Sequence, residues 1–236
     1  MPYFKCANAS SNLQNISRVT RSKQEAQATY DRISKWYDLL EGVWETKLRL
    51  IGLQKLGAEE GEITLEIGFG TGHGISALAQ SVGESGKVYG LDISHKMFEI
   101  TQSRIEKRGL SKIVTLMCTD ALQLPFEADF FDAIFMSFTL ELFDTPEIPK
   151  VLYECKRALR NEGRICIVSL SKEGGPNLMR DLYELGHKKF PKLLDCRPIF
   201  VRKALEDAGF KISDAALMSL WGLPVEIVVA RKSKST

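Results

Sequence analysis

The sequence predicts a doubly wound α/β sheet, and three observations carry that prediction. Short β-branched runs alternate with longer helical patterns along the chain. A stretch with four glycines at alternate positions, LEIGFGTGHG (residues 65–74), follows the first run, and an acid, Asp92, ends the second. Parallel neighbours need a helix to return the chain, so this rhythm implies crossovers on both faces of the sheet.

The elements follow in order. Candidate strands are Ile63–Ile67, Lys87–Asp92, Ile113–Cys118, Phe131–Phe138, Gly163–Leu170, Lys211–Leu217 and Val225–Ala230. Between them, Ile75–Val82, Ser94–Arg108 and Pro146–Leu159 carry helical patterns of crossover length. Ser94 suits a helix N-cap and Gly109 a helix stop. Residues 1–21 are polar and aperiodic, which predicts a flexible tail. From Ser22 to Leu56 a helical pattern with Tyr30, Trp36, Tyr37 and Trp44 precedes the first strand. No linker rich in Pro, Gly or Ser divides the remainder, so residues 22–236 are expected to form one domain.

Composition narrows the function classes. Of 236 residues, 44% are apolar and 26% charged, the proportions of an ordinary globular protein able to bury a full core. A net charge of +2 offers no concentrated basic face, so no nucleic-acid partner is expected. Basic residues gather only at the ends, where solvated tails explain them. The five cysteines form no C-x-x-C pair and do not cluster with the three histidines, which predicts reduced thiols, no bound metal and a cytoplasmic setting. The N-terminus shows no secretory pattern. The most apolar stretch, residues 130–143, is broken by Asp132 and Glu141 and falls short of the ~18 residues a membrane span needs.

In an open α/β sheet the ligand sits at the carboxyl edge of the strands, and the first strand-to-helix turn brings backbone amides and a helix N-terminus together there. Gly68, Gly70 and Gly72 let the chain bend sharply and let a ligand press against bare main chain. The spacing is not that of a dinucleotide fingerprint: G-x-G-x-x-G begun at Gly68 meets His73, and begun at Gly70 meets Ile75. No Gly-Lys-Ser/Thr follows, so the P-loop pattern fails as well. The pattern is E-x-G-x-G-x-G, and a carboxylate at Glu66 suits a ligand amino group where it would repel a pyrophosphate. Asp92 lies 20 positions beyond Gly72, where an acid accepts from two ribose hydroxyls. Asp120, after the third run, is placed to accept from an adenine amino group. Together these imply a nucleoside without phosphates.

Those motifs resemble the class I S-adenosylmethionine-dependent methyltransferases, and within them the ubiquinone/menaquinone-biosynthesis-like branch. LEIGFGTGHG is similar to the glycine-rich first motif, VYGLDIS to the acidic second, and CTDALQLPFEADFFDAIFMSFTLELF to the adenine loop and fourth strand. ECKRALRNEGRICIVSL resembles the helix, turn and fifth strand, and YDRISKWYDLL the N-terminal cofactor-covering helix. The resemblance implies a Rossmann-like methyltransferase fold, a seven-stranded sheet whose C-terminal hairpin is antiparallel. It also implies S-adenosyl-L-methionine as cofactor and S-adenosyl-L-homocysteine as product. Glu66 would orient the methionine amino group, and Gly68, Gly70 and Gly72 would admit the methionine part. Asp92 would hold the ribose, Ile93 and Met97 would flank the adenine, and Asp120 and Ala121 would meet its edge. A core role is as good a reading of Met97. Ser137 would face the reacting centre. Residues 22–56 would form a helical cover and 171–209 a variable substrate-side segment. In that segment GHKKFPKLLDCRPIF, like SFTLELF after the fourth strand, departs from the quinone-methylating pattern.

Methyl transfer from a sulfonium needs alignment and exclusion of water rather than an enzyme nucleophile. A base serves only acceptors that must lose a proton, and His187, His73 and Tyr37 are the candidates. Tyr30, Trp36, Tyr37 and Phe138 are candidates to wall the cationic sulfur, with core packing as the other reading. Arg197 either holds an anionic acceptor group or braces the loop before Pro198. The expected acceptor is a small apolar or quinone/phenol-like molecule, with transient membrane approach only if it is lipidic. Two other classes remain at this stage: a catalytically silent S-adenosylmethionine-binding partner or sensor, and a nicotinamide-dependent oxidoreductase.

Overall fold

The computed structural model describes residues 45–175, 177–189 and 196–233, with side chains of the second stretch described to 186. Helix α1 runs over 45–56. The rest alternates: β1 (Ile63–Ile67), α2 (His73–Val82), β2 (Lys87–Asp92), α3 (His95–Lys107), β3 (Val114–Cys118) and β4 (Phe131–Ser137). After a 3-10 turn at Leu140–Leu142 come α4 (Ile148–Ala158), β5 (Leu159–Leu170), α5 (Leu178–Lys189), α6 (Val201–Asp207), β6 (Phe210–Leu220) and β7 (Leu223–Lys232). The seven strands form one sheet in the order β3-β2-β1-β4-β5-β7-β6. β1 to β5 are mutually parallel, and β7 is antiparallel to both β5 and β6.

Local chemistry accounts for the element ends. Ser94 caps α3, its hydroxyl accepting from the Met97 N–H at 3.1 Å, and Gly109 ends that helix with φ +68°. α2 begins at His73 because Gly72, at φ +84°, is its N-cap. β5 begins at Leu159, four residues before the expected Gly163, because residues 160–163 bulge out between the pairs Phe131↔Leu159 and Ala133↔Arg164.

The central strands are apolar on both faces, as a sheet covered on both sides requires. One core joins Leu65, Phe131, Ile134 and Ile167 to Val151 and Leu152 of α4 and Leu205 of α6. The other joins Phe135, Val168 and Ile227 to Leu48 of α1, Ile75 and Leu78 of α2 and Ile105 of α3. Each fully buried aliphatic side chain contributes about 1.5–3 kcal/mol relative to exposure.

α1 has a fixed direction. The Leu56 carbonyl accepts from Arg164 Nε, the Gly52 carbonyl from Cys166 Sγ at 3.3 Å, and a Cβ on Gly52 would meet Val168. Walking back along the helix therefore walks forward along β5, and residue 45 stands at the carboxyl edge of the sheet. The expected cover over 22–56 is thus seen as helix from 45 onward; Tyr30, Trp36, Tyr37 and the tail 1–21 lie outside the described residues. Among the described residues no helix is long and apolar enough to cross a membrane.

Candidate functional site

The strand order reverses between β1 and β4, which run on either side of the turn at 68–72, and this is the point where open α/β sheets take their ligands. The four glycines there do not share one task. A Cβ at Gly68 would strike the Thr139 side chain, one at Gly72 would lie 2.6 Å from Thr101, and one at Gly74 would strike the Glu66 carboxylate. Of the four, Gly70, at φ +49°, is the one whose Cβ would meet nothing among the described residues. Sequence reasoning assigned the glycines to ligand contact; for Gly68 and Gly72 the space a side chain would need is already filled by threonines of the protein itself.

Hydrogen bonds fix the turn. The Gly68 N–H donates to Leu91 O at 2.7 Å, the Gly70 N–H to Asp92 Oδ2 at 2.9 Å, and Thr101 Oγ1 to Gly70 O at 2.7 Å. Asp92 Oδ1 accepts from the Ser94 N–H at 2.9 Å. One carboxylate oxygen thus holds the glycine turn and the other the start of α3. Asp92 is only half-buried, so it keeps an open side toward the bare main chain of Gly70.

Glu66, at the end of β1, is 2% exposed and lies under the first turn of α2. Ile93 is half-buried beside Asp92, and its carbonyl accepts from Cys118 Sγ at 3.6 Å. Met97 is 2% exposed among Phe69, Ile75 and Val88, so of its two readings the structure gives core packing. Asp120 folds its own loop, Oδ1 accepting from the Leu122 N–H at 3.0 Å, and Ala121 is buried next to it. That adenine-side loop is clamped to α4: Glu154 accepts from the Leu124 N–H and pairs with Arg157, which donates to Phe126 O and Leu124 O. The bond from Arg157 holds the Glu154 carboxyl below its usual range.

Ser137 ends β4 with its hydroxyl buried and without a partner among the described residues. Phe138 follows at φ +51°, a left-handed conformation that costs an L-residue about 1–2 kcal/mol. Thr139 then turns its side chain onto Gly68. His73 is exposed in the first turn of α2, and His187 lies on α5, away from the turn in sequence. Arg197 is fully buried, donating to Thr145 Oγ1 at 3.1 Å and to Phe143 O. That is the bracing arrangement, and it leaves no exposed guanidinium for an acceptor anion.

Sequence reasoning passed over Thr101 and Thr139, which fill the space beside the glycines, and Glu141, a fully buried acid on the turn after β4. The signal for Glu141 was present as a lone charge in the apolar run around it.

The cradle fits an uncharged-sugar nucleoside with an amino-acid tail: an open main-chain position at Gly70, a half-exposed acid at Asp92, and the N-terminus of α2. Comparison with known proteins agrees. Residues 64–163 match the methyltransferase domain family. Over 172 residues the chain is 31% identical to a demethylmenaquinone methyltransferase of Anoxybacillus flavithermus, covering 70% of each protein. It is 30% identical to the protein of the same name from Lactobacillus johnsonii, covering 70% of this chain and 66% of that one. The matched stretch thus spans about two thirds of these relatives. In fold, it superposes on a SAM-dependent methyltransferase from Aquifex aeolicus with TM-score 0.63 and 24% identity, over 84% of this chain and 98% of that one. It also superposes on the [4+2]-cyclase SpnF with TM-score 0.74 and 17% identity, over 93% and 99%.

Proposed function

Because the chain belongs to the class I S-adenosylmethionine-dependent methyltransferases, in their demethylmenaquinone methyltransferase-like branch, we propose that it methylates a small, apolar, quinone- or phenol-like acceptor by in-line displacement. The cofactor is S-adenosyl-L-methionine and the spent form S-adenosyl-L-homocysteine. Bound there, the cofactor supplies a methyl group on a positively charged sulfur. The residues of this chain supply placement. Asp92 holds the sugar hydroxyls while anchoring Gly70, Gly70 admits the tail, Glu66 sits beneath the α2 terminus near the amino group, and Asp120 with Ala121 borders the base. Alignment of this kind lowers barriers by as much as about 7–11 kcal/mol in favourable cases, so no enzyme nucleophile is required.

The observation that carries an apolar acceptor is the lining of the carboxyl edge beyond β5. Leu178, Leu182 and Leu185 lie exposed along one face of α5, at 83%, 60% and 51%. α5 is held at that edge by Asn177 donating to Gly222 O and by the Lys172–Glu184 ion pair. Trp221, in the β6–β7 turn, is exposed beside it. A lipidic acceptor would present itself to this face, with transient approach to a membrane surface. The buried thiols of Cys155 and Cys166 accord with a reducing, cytoplasmic setting.

His187, on α5, is the favoured base for an acceptor that must lose a proton. His187→Ala is expected to lower turnover while leaving cofactor affinity intact; wild-type rates on the true acceptor would remove it from the mechanism. The silent-binder and nicotinamide readings are not favoured by these relatives. The deciding experiment incubates the protein with deuterated methyl donor and a set of reduced naphthoquinones and benzoquinones, followed by mass spectrometry. A labelled quinol is the expected product. Tight cofactor binding with no label in any quinol would overturn the acceptor assignment.

A further inference from the structure

Glu141 is 0% exposed, yet it stands only four residues past Ser137, on the 3-10 turn that leaves β4 at the ligand edge. A carboxyl group taken out of water is retained only where its surroundings hold it. Three neighbours do so. The Leu170 N–H at the end of β5 donates to Oε1 at 3.2 Å, and the Ser169 side chain, which donates to Leu170 O at 3.1 Å, lies close enough to favour the charged form. Arg197 stands close enough to act on its charge. Oε2 has no hydrogen-bond partner among the described residues.

Arg197 extends the link. It donates to Phe143 O and Thr145 Oγ1, so it grips the far end of the same turn. It sits on the stretch returning from the segment after β5, which runs parallel to the end of that strand: Ile199 N–H donates to Leu170 O at 3.1 Å, and Lys172 N–H to Ile199 O at 3.0 Å. On the other side, Thr139 of the turn closes on Gly68 of the cofactor loop. One turn therefore touches the cofactor loop through Thr139 and is anchored to β5 and to the substrate-side segment through Glu141 and Arg197.

Resting on the methyltransferase reading above, we propose that Glu141 is a positioning residue for methyl transfer: through Leu170, Ser169 and Arg197 it fixes the turn that sets Ser137 and Phe138 against the acceptor. Burial acts in the same direction as the geometry. It raises the Glu141 carboxyl from an ordinary 4.5 to about 8, against the opposing pull of its hydrogen bonds and of Arg197. The acid is therefore neutral in the resting protein at pH 7, and ionises as pH rises through about 8. A second acid on this face of β5 is Glu226 of β7, opposite Ser169, which accepts from Ser171 Oγ at 2.7 Å and feels the charges of Glu173 and Arg202.

The sign gives the test. A neutral Gln reproduces the protonated acid, retaining an oxygen for the Leu170 N–H but never ionising. Misplacement of reacting groups by about 1 Å can cost about 10²-fold in rate, so Glu141→Ala is expected to lower kcat by about 30- to 100-fold. Its Kd for S-adenosylmethionine is expected to stay within about threefold, since the contacts of Asp92 and Gly70 are not touched. Wild-type kcat is expected to fall above about pH 8, and Glu141→Gln to recover most of kcat at pH 7 and to lack that fall. Wild-type kcat in Glu141→Ala, or an alkaline fall equally present in Glu141→Gln, would overturn the proposal. A parallel loss of kcat, cofactor affinity and melting temperature in Glu141→Ala would do so too, since it marks a purely structural role. Hydrogen exchange of residues 138–146 provides an arm independent of any acceptor. Faster exchange in Glu141→Ala but not in Glu141→Gln is expected, and equal exchange in all three proteins overturns the anchoring. A wild-type protein inactive on every quinol, with that exchange pattern intact, would instead count against the acceptor assignment alone.

Discussion

The main-chain N–H of Gly70 donates to Asp92 across 2.9 Å, so the glycine turn after β1 and the end of β2 move as one hydrogen-bonded body. The acid therefore shapes the empty side of the turn as well as presenting an oxygen to it.

Replacing Asp92 by Ala removes both functions. Cofactor affinity is expected to fall by about 10- to 100-fold, equivalent to about 1.4–2.8 kcal/mol, a range that spans a lost charged hydrogen bond. Calorimetric titration with S-adenosylmethionine measures this, and circular dichroism should show the fold retained. Unchanged affinity would refute the ribose role.

The glycines should separate by mechanism. Among the described residues Gly70→Ala meets no protein atom, so it costs the left-handed backbone term of about 1–2 kcal/mol, while its methyl group enters the space the cofactor needs. It should fold and bind poorly. Gly74→Ala would normally favour a helix, by about 1 kcal/mol, but here the new methyl strikes Glu66, so the melting temperature should drop. Thermal melts and titrations on both variants check this; a Gly70→Ala protein with wild-type affinity would show that the open space is not the cofactor's.

Glu154 offers a pH test. Its carboxyl is held below the ordinary 4.5 chiefly by Arg157, so its contribution to stability is present above pH 4.5 and is lost as pH falls through the depressed value. Glu154→Gln should be less stable than wild type near pH 7, by about 1–2 kcal/mol for a partly buried charged pair, with the difference fading in acid. Urea unfolding at several pH values reads this directly; a gap independent of pH would exclude an ionic origin.

Arg197→Met retains bulk but leaves Phe143 O and Thr145 Oγ1 without their donor, which should cost about 2–4 kcal/mol. Lys replaces the planar guanidinium fork with a compact, strongly hydrated ammonium and should rescue only in part. A stable Arg197→Met protein that loses only acceptor affinity would restore the anion-holding alternative.

Much of this was written in local pattern. β1 and β2 have the bounds that β-branched runs predict, because both are buried strands flanked by turn residues. Ser94 was legible as a cap because a hydroxyl at that place has one local use. What escaped was long-range. The early start of β5 depends on its register with β4, and the choice between the two readings of Met97 on the helix packing above it. The glycines were visible, but Thr101 and Thr139, which decide why two of them must lack side chains, lie 29 and 71 residues from their partners Gly72 and Gly68. Glu141 was visible only as an interruption in an apolar run. Its carboxyl finds Leu170 and Arg197 from distant parts of the chain, which no local spacing announces.

The shared direction of α1 and β7 has a practical side. Residue 45 opens at the mouth of the site, whereas β7 finishes at the far rim, where Lys232 reaches Asp129 and the carbonyl of Leu159. A bead, chip or fluorescent fusion joined after residue 233 would grip the molecule from behind and leave the entrance clear. The same attachment made directly ahead of residue 45 would crowd the doorway.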